Sequence, residues 1–381
     1  MSDDTRLLHT GAAREPLLKT VGPPIQKGST VVLPDAASLY DAPITYGREG
    51  LGTHEALVTG LSDLEHARSV KLFPSGLAAL AGALTAVLSA GDEILVTDAI
   101  YKPTRRFCDR VLRRFGVATT YYPPRATAQD IEALITSRTR LIAMETPGSL
   151  SFEMPDVPAI AAMARRRGVL TLIDNTWSAG LYFRPLDHGV DLSVQALTKY
   201  VGGHSDVFMG SVAAKAADVI TALDASVLDF GWAVSPEDAY MMLRGLRTLP
   251  TRLARHDAGA RQVARWLSQH PGVGQVIHPA LPASPDHTIW RRDFTGAGGL
   301  FAFTLAPGLS PTVAAFLDAL TLFGLGFSWG GFESLALNGD PQFSSRLTPP
   351  DFIGPLIRLS IGLEDPADLI ADLDQALAVT S

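Results

Sequence analysis

The centre of the chain alternates short apolar runs with segments of helical length. Strand-like runs separated by single helices imply parallel pairing through crossover connections. An alanine- and leucine-rich helix over Ser75–Leu88 begins this region, and Gly91 ends that helix. The predicted strands are Asp92–Thr97, Thr139–Met144, Val169–Ile173, Val190–Leu197 and Gly210–Ala214, and the predicted intervening helices are Asp130–Ser137 and Val157–Arg167.

The two flanks of this region have different patterns. Residues 1–50 carry five prolines and no sustained helical period, which indicates an extended arm that contacts a neighbouring subunit. From residue 246 onward, helices mix with isolated strand-like runs. The predicted elements there are helices over Arg252–His270, Pro311–Leu322 and Asp365–Val379, and strands over Leu300–Leu305 and Leu356–Ile361.

These patterns predict an α/β fold in three parts. Residues 1–50 form the arm, residues 51–245 a large domain around a mostly parallel sheet, and residues 246–381 a smaller C-terminal α+β domain. In open parallel sheets, ligands bind at the carboxyl ends of the strands. Candidate chemistry is therefore sought at those ends.

A lysine and an aspartate follow two of the predicted strands. Lys199 comes after the run that ends at Leu197, and Asp174 comes after Ile173. This pair suits a pyridoxal phosphate enzyme, in which the lysine forms a Schiff base with the cofactor and the aspartate pairs with its pyridinium nitrogen. Taken singly, Lys199 also fits a surface lysine after a strand, and Asp174 a helix N-cap.

Three further positions carry candidate chemistry, each with an ordinary alternative. Ser75-Gly76-Leu77 opens a helix and offers backbone N–H groups to a phosphate, although an ordinary N-cap has the same pattern. Tyr101 follows a strand and can stack on an aromatic cofactor, or it lies at an interface. Arg358, within an apolar strand, suits a substrate carboxylate or a structural ion pair.

Composition narrows the class of protein. The apolar fraction of 46% fits a compact protein with a large core, and the net charge of −7 argues against a general nucleic-acid or anionic-membrane binder. No apolar run is long enough to span a membrane, and the polar N-terminus indicates no signal peptide, so we expect a cytoplasmic protein. The histidines lack metal-ligand spacing, Gly-x-Ser-x-Gly is absent, and the single cysteine, Cys108, is expected to be a buried thiol.

Over nearly its whole length the chain resembles the cysteine/methionine-metabolism family of pyridoxal phosphate enzymes, which has the fold type I of aminotransferases. The resemblance rests on the run from Asp191-Leu192 through Thr198-Lys199-Tyr200 to Gly203-His204-Ser205. For the cofactor ring, it implies that Lys199 bonds the cofactor, Asp174 pairs with the ring nitrogen and Tyr101 stacks on the ring. For the cofactor phosphate, it implies binding by Ser75, Gly76, Leu77 and Thr198, and by Tyr46 and Arg48 of the adjacent subunit. For the substrate, it implies that Arg358 binds the α-carboxylate and that Ser328 and Trp329 shape the pocket.

The resemblance also implies a reaction and an assembly. Relatives that act at the γ-carbon usually have serine in place of Ala196, and Asn-Pro in place of Gly148-Ser149. These departures favour the bacterial branch that cleaves cystathionine by β-elimination to homocysteine, pyruvate and ammonia. A cysteine desulfhydrase or a broad cysteine-S-conjugate β-lyase remains an alternative, and γ-chemistry is less favoured. The family implies an active homodimer, and a tetramer built from two such dimers.

Overall fold

The computed structural model describes residues 2–9, 20–308 and 312–379. Residues 1 and 10–19 of the predicted arm, and Pro311 at the start of a predicted helix, lie outside the described residues. Two β-sheets carry the described chain. The strands of the larger sheet are β1 (Ser69–Phe73), β2 (Glu93–Thr97), β3 (Ala118–Tyr122), β4 (Thr139–Glu145), β5 (Leu170–Asp174), β6 (Leu192–Ala196) and β7 (Gly210–Ala214).

The larger sheet is mostly parallel, as the sequence predicts. Its order is β1-β7-β6-β5-β4-β2-β3, and strands β2 to β6 pair in parallel. Strand β7 differs from the prediction because it is antiparallel to both β6 and β1. A parallel return needs a crossover of a dozen or more residues, usually a helix, whereas the connection over residues 197–209 contains no helix.

The smaller sheet lies in the C-terminal third of the chain, and its pairing is antiparallel except at one edge. Its order is β10-β11-β12-β9-β8, with a parallel pair only between β10 and β11. Its strands are β8 (Val273–Ile277), β9 (Leu300–Leu305), β10 (Gly324–Leu325), β11 (Leu335–Asn338) and β12 (Leu356–Ser360).

Helices cover the sheets and connect the strands. None of those in the described residues combines the length and the apolar character that crossing a bilayer requires. The helices are α1 (Asp3–Leu8), α2 (Ser38–Asp41), α3 (Gly52–Glu65), α4 (Gly76–Val87), α5 (Lys102–Phe107), α6 (Ala128–Glu132), α7 (Val157–Arg167), α8 (Ala217–Phe230), α9 (Pro236–Leu267), α10 (His287–Asp293), α11 (Val313–Ala319) and α12 (Pro366–Leu377).

The first helix is a feature that the sequence pattern did not predict. Ser2 caps α1 by accepting a hydrogen bond from the backbone N–H of Thr5. Leu7 is buried in the apolar cluster that also contains residues of α3 and α9. Residues 3–8 thus form a helix that packs on α3 and α9 through the buried Leu7 side chain.

Helix α9 is much longer than the predicted Arg252–His270. It has 32 residues, begins after the Ser235 cap, and contains Pro250. The sequence pattern does not predict the first half of the helix because Pro250 lies inside it, and proline normally ends a helix. The first half packs in the cluster beside the larger sheet and the second half in the cluster beside the smaller one. We propose that α9 joins the two domains, with the boundary near residue 245 inside it.

Gly245 of α9 allows this helix to touch the connection that carries Lys199. A Cβ at Gly245 would lie 2.5 Å from the carbonyl oxygen of Gly202 and even closer to that of Val201. We expect Gly245→Ala to lower the free energy of unfolding by about 1–3 kcal/mol, because the added methyl overpacks a backbone contact. Chemical denaturation monitored by circular dichroism measures this change.

Gly259→Ala on the same helix is the matched control. A Cβ there would lie 3.3 Å from the Cγ2 methyl of Ile361, a contact much less severe than the one at Gly245. Its stability should stay within about 1 kcal/mol of the parent, helped by the better helix propensity of alanine. Equal losses in the two variants would contradict the assigned contact.

Candidate active site

The carboxyl ends of three adjacent parallel strands form the floor of a cavity of about 290 Å³. Glu145 ends β4 beside Asp174, which ends β5 and pairs in register with Val194 of β6. Lys199 follows β6. Most of the predicted site residues line this cavity: Ser75, Gly76, Leu77, Tyr101, Asp174, Thr198, Lys199, Trp329 and Arg358.

The start of α4 forms one wall of the cavity with exposed backbone donors. Ser75 caps the helix by accepting from the N–H of Ala78 at 3.1 Å. Among the described residues, no hydrogen bond engages the N–H groups of Gly76 and Leu77. A Cβ at Gly76 would lie 2.5 Å from the Cβ of Ala196. Glycine is therefore required for the helix start to lie against β6, and its free donors suit a phosphate.

Asp174 is a buried carboxyl with one oxygen occupied. Its Oδ1 accepts from the backbone N–H of Thr176 at 3.1 Å and from the Thr176 hydroxyl at 2.5 Å. No described group hydrogen-bonds to Oδ2. Burial raises the pKa of Asp174, and the Thr176 hydrogen bonds and the nearby Lys199 charge oppose that rise. The remaining oxygen can accept a hydrogen bond from a cationic ring nitrogen.

Ser328 holds the two buried cations of the site. Its hydroxyl accepts from Lys199 Nζ at 2.7 Å, and its carbonyl accepts from Arg358 Nη2 at 2.7 Å. Ser328 has a φ of 82°, a backbone region that a non-glycine residue adopts only when its surroundings enforce it. This conformation directs the hydroxyl and the carbonyl of one residue to two different partners.

The protonation states of these cations follow from burial. Burial, followed by the positive charge of Arg358, lowers the pKa of Lys199 to about 8, while Asp174 opposes this. Burial lowers the pKa of Arg358 to about 10, so the guanidinium stays charged at neutral pH. In the described residues Arg358 forms no ion pair, and its buried Nε has no hydrogen-bond partner. The geometry thus favours the carboxylate-binding interpretation over a structural ion pair.

Tyr101 lies at the mouth of the cavity, where it is 43% exposed. Its backbone N–H donates to Glu145 Oε2 at 2.6 Å. Burial, followed by the charges of Asp174 and Glu145, raises the pKa of the Tyr101 phenol. The phenol is therefore neutral at physiological pH and can stack on a ring or donate its proton.

Thr198 and Trp329 complete the predicted set in this chain. The Thr198 hydroxyl accepts from the backbone N–H of Met209 at 3.0 Å and lies 3.2 Å from the Met209 carbonyl, so it already has protein partners. The Trp329 ring packs edge-on against Tyr200, with centroids 5.2 Å apart. Lys199 Nζ lies 5.6 Å from the centre of the Trp329 ring.

Tyr46 and Arg48 do not lie in the site of their own chain. They line a separate cavity of about 310 Å³, which shares no lining residue with the cavity around Lys199. Both are exposed, and Arg48 Nη1 donates to the carbonyl of Leu228 at 3.3 Å. Within one chain these two residues cannot serve the Lys199 site.

Two functional residues were missed by the sequence analysis. Thr176 fixes Asp174 and also accepts from the backbone N–H of Ala196 at 2.9 Å, so it ties β5 to β6. Its position two residues after an aspartate is the available signal, because such a hydroxyl can bond back to the carboxylate. Glu145 is partly buried, and burial, followed by the charge of Asp174, raises its pKa well above the ordinary range. Its protonation depends on a neighbour that the sequence alone does not place.

The loop after Lys199 is held by a buried guanidinium. Arg252 donates to the carbonyl oxygens of Tyr200 at 2.7 Å, Val201 at 3.2 Å and Gly245 at 2.7 Å. Burial lowers its pKa to about 10, which still leaves it charged. The prediction for Cys108 is confirmed, since the thiol is buried and burial raises its pKa to about 12.

A second cavity of about 470 Å³ adjoins the first. Both cavities share Tyr101, Lys199 and Trp329 among their lining residues. Together they offer donors for a phosphate at one end, a carboxylate acceptor and a lysine at the centre, and an arginine that contacts the same residue as the lysine. The residues present fit pyridoxal phosphate, because the free donors of α4, the free oxygen of Asp174 and the amine of Lys199 match its three polar ends.

Comparisons with known proteins agree with this arrangement. The family model described as Cys/Met metabolism PLP-dependent enzyme matches residues 4–378. A putative cystathionine beta-lyase of Rhizobium johnstonii is 46% identical over 99% of this chain and 96% of its own length. The cystathionine beta-lyase of Escherichia coli is 40% identical over 98% of both chains. The crystal structure of cystathionine gamma-lyase from Lactobacillus plantarum complexed with L-serine has a TM-score of 0.92 and 31% identity, covering 99% of each chain.

The Thr176 hydroxyl is expected to matter for cofactor retention. Thr176→Val keeps the side-chain shape but removes the donor to Asp174, which leaves a buried carboxylate with one fewer hydrogen bond. Such bonds to charged groups contribute about 1.5–3 kcal/mol, so the dissociation constant for pyridoxal phosphate should rise about tenfold or more. Equilibrium dialysis followed by visible absorbance measures it. Thr176→Ser should restore binding, and a Val variant with unchanged affinity would contradict the role.

Proposed function

The chain belongs to the Cys/Met metabolism family of PLP-dependent enzymes, and we infer that it is a carbon–sulfur β-lyase that cleaves L-cystathionine to homocysteine, pyruvate and ammonia. Membership confirms the predicted fold type I, the pyridoxal phosphate cofactor and the lyase class. The observation that carries the reaction is the contact of Lys199 and Arg358 with the same residue, Ser328. It places a proton acceptor beside a carboxylate-binding group.

We propose that four elements of the site hold the cofactor. The N–H groups at the start of α4 bind its phosphate, Asp174 Oδ2 faces its ring nitrogen, Tyr101 covers the ring, and Lys199 bonds it covalently. When bound, pyridoxal phosphate supplies an electron sink that stabilises negative charge at the Cα of an amino acid. Burial raises the pKa of Asp174, and the hydrogen bonds from Thr176 oppose that rise; a charged Asp174 favours a protonated ring nitrogen.

Arg358 orients the substrate. Its planar guanidinium can bind the α-carboxylate through two parallel hydrogen bonds, and the bond to the Ser328 carbonyl fixes the plane of the fork. With the carboxylate held, the Cα–H bond of the substrate is directed toward the side on which Lys199 lies. A fixed orientation of this kind removes the entropy of alignment from the reaction barrier.

Lys199 moves the proton. A neutral Nζ is needed to accept the proton from Cα, and the lowered pKa of about 8 makes the neutral amine accessible near physiological pH. The Ser328 hydroxyl fixes the position of Nζ between transfers. Breaking of the Cβ–S bond then releases the thiolate, which takes a proton from the Tyr101 hydroxyl or from the Lys199 ammonium.

The alternatives use the same residues. A cysteine desulfhydrase or a broad cysteine-S-conjugate β-lyase would need the same lysine, aspartate and arginine and a different pocket beyond the sulfur. The local structure distinguishes this chain from the relatives that act at the γ-carbon. A Cβ at Gly148, where γ-type relatives carry asparagine, would lie 2.6 Å from the Cβ of Ala99. The segment around Gly148 is thus packed for a residue without a side chain.

The reaction is tested by its products. We expect the purified enzyme to release pyruvate and homocysteine from L-cystathionine, with no 2-oxobutyrate. Lys199→Ala should lose the visible absorbance of the lysine-bound cofactor and nearly all pyruvate release, because it removes both the covalent attachment and the proton acceptor. Chromatography of the oxo acids separates the two outcomes. Formation of 2-oxobutyrate, or retained turnover in the variant, would refute the assignment.

We propose further that the active unit is a homodimer, in which Tyr46 and Arg48 complete the neighbouring site, and that two dimers form a tetramer. The exposed position of Tyr46 and Arg48, away from the Lys199 cavity of their own chain, supports this arrangement. A role in methionine biosynthesis is proposed with it, on the basis of the names of the relatives. The cytoplasmic location stays a prediction from the sequence.

Mixing inactive variants tests the shared site. Arg48→Ala and Lys199→Ala subunits should each be inactive alone. After they are unfolded together and refolded, half of the dimers are hybrids with one intact site each, which returns about a quarter of the parent activity. Pyruvate release measures it, and refolded unmixed variants are the control. If Arg48 acted within its own chain, an intact site would require both native residues in one subunit, and no activity would return.

A further inference from the structure

The chain between β11 and β12 of the smaller sheet reaches the larger sheet and supplies part of the wall of both cavities. We call residues 340–348 the strap, which begins with a 3₁₀-helix over Asp340–Ser345. Gln342 lines both cavities, and Ser345 lines the one of about 470 Å³. The strap therefore borders the same space as Lys199 and Arg358.

Asp98 binds one end of the strap from its position directly after β2. The residue is 1% exposed. Its Oδ2 accepts from the backbone N–H groups of Leu347 at 2.8 Å and Thr348 at 2.5 Å. Its Oδ1 accepts from Arg105 Nη2, so the carboxylate charge is paired. One buried carboxylate oxygen thus holds two successive backbone donors of the strap.

Arg346 binds the strap to the loop after β4. Its Nη2 donates to Glu153 Oε1 at 3.0 Å, and its Nη1 donates to the Ser151 hydroxyl at 2.5 Å. The side chains of Arg346 and Glu153 are 6% and 5% exposed, so this ion pair is shielded from salt. At the opposite end of the strap, an exposed contact joins Lys102 Nζ to the carbonyl of Pro341 at 3.2 Å.

The two buried contacts belong to one cluster of balanced charges. Arg346 Nε lies 3.9 Å from Asp98 Oδ2, which brings two carboxylates and two guanidinium groups together. The members are Asp98, Arg105, Glu153 and Arg346. A buried charge that loses its partner is strongly disfavoured. Asp98 and Glu153 therefore hold the strap at a defined position against the larger sheet.

We propose that Asp98 and Arg346 are positioning residues for substrate binding, because they hold the strap in place and the strap encloses the bound amino acid beside Lys199. Neither side chain is among the described residues that line the two cavities, so both act through the strap. Loss of the enclosure weakens substrate binding and leaves the reacting groups in place. The inference rests on the function proposed above for the substrate, whereas the contacts of the strap can be measured without turnover.

Kinetics of the Asp98→Asn holoenzyme test the enclosure. Asparagine keeps the shape of the side chain but replaces one acceptor oxygen by an N–H donor, so it cannot accept from all three of its donors. We expect KM for L-cystathionine to rise about tenfold while kcat for pyruvate release changes by less than about twofold. Arg346→Gln tests the same strap through its other contact and should have the same effect, and Arg346→Lys should restore part of the affinity.

Hydrogen exchange of the holoenzyme without substrate tests the contacts directly. In the parent, the amides of Leu347 and Thr348 should exchange at least about a hundredfold more slowly than open amides, because they donate to a buried carboxylate. Residue-resolved mass spectrometry measures these rates, and Asp98→Asn should raise both about tenfold or more. Unprotected amides in the parent would overturn the proposal even if cystathionine is cleaved.

An amino acid without a leaving group separates this inference from the lyase function. Titration of the holoenzyme with L-norleucine, followed by visible absorbance, measures binding of a substrate-sized amino acid that has no sulfur to eliminate. Its dissociation constant should rise about tenfold in Asp98→Asn and in Arg346→Gln. That result supports the strap even if no substrate yields pyruvate. Unchanged affinity in a variant that has lost amide protection would refute the enclosure.

Asp351→Asn is the matched control. Asp351 lies between the strap and β12, is 77% exposed, and forms an ion pair with Arg125. An exposed pair of this kind contributes little to stability. The control should therefore keep KM, the L-norleucine affinity and the protection of Leu347 and Thr348 within about twofold of the parent. Equal effects of Asp351→Asn and Asp98→Asn would overturn the role assigned to Asp98.

Discussion

Removal of water from charged groups at the strand ends is the constraint on which the site depends. Two carboxyls, Glu145 and Asp174, and two cations, Lys199 and Arg358, lie within one buried region. Burial disfavours every one of these charges. The hydrogen bonds from Thr176 support the charged form of Asp174, whereas burial drives Glu145 and the Lys199 amine toward their neutral forms. Groups of like kind thus differ in how strongly their surroundings favour the charged form.

The extent to which the fold follows from the sequence depends on how each strand is buried. Strands β2, β4, β5 and β6 lie in the interior of the larger, mostly parallel sheet, and their continuous apolar runs predict them to within a few residues. The edge strand β3, Ala118–Tyr122, is rich in threonine and tyrosine and is only partly buried, so no apolar run marks it. The direction of β7 depends on the absence of a helix in the preceding loop.

The candidate site divides in the same way. Residues that act from the end of a strand or the start of a helix, such as Asp174, Lys199 and Gly76, can be located from the pattern because those ends converge. The two contacts of Ser328 depend on its positive φ, which the local sequence does not predict. The proposed relation of Tyr46 and Arg48 to the site involves a second chain, which a single sequence does not contain.

The unbroken path of α9 limits how this architecture can be recombined. The helix runs from the apolar cluster of one sheet to that of the other, and Arg252 binds it to the loop after Lys199 near its midpoint. A chimera spliced at residue 245 would therefore join two half-helices from different proteins. The junction would lie where α9 contacts the loop after Lys199. Splice sites placed before Ser235 or after Leu267 would take the whole helix, with its contacts to this loop, from one parent protein. Modules exchanged between relatives are thus bounded by helix ends rather than by the midpoint between the sheets.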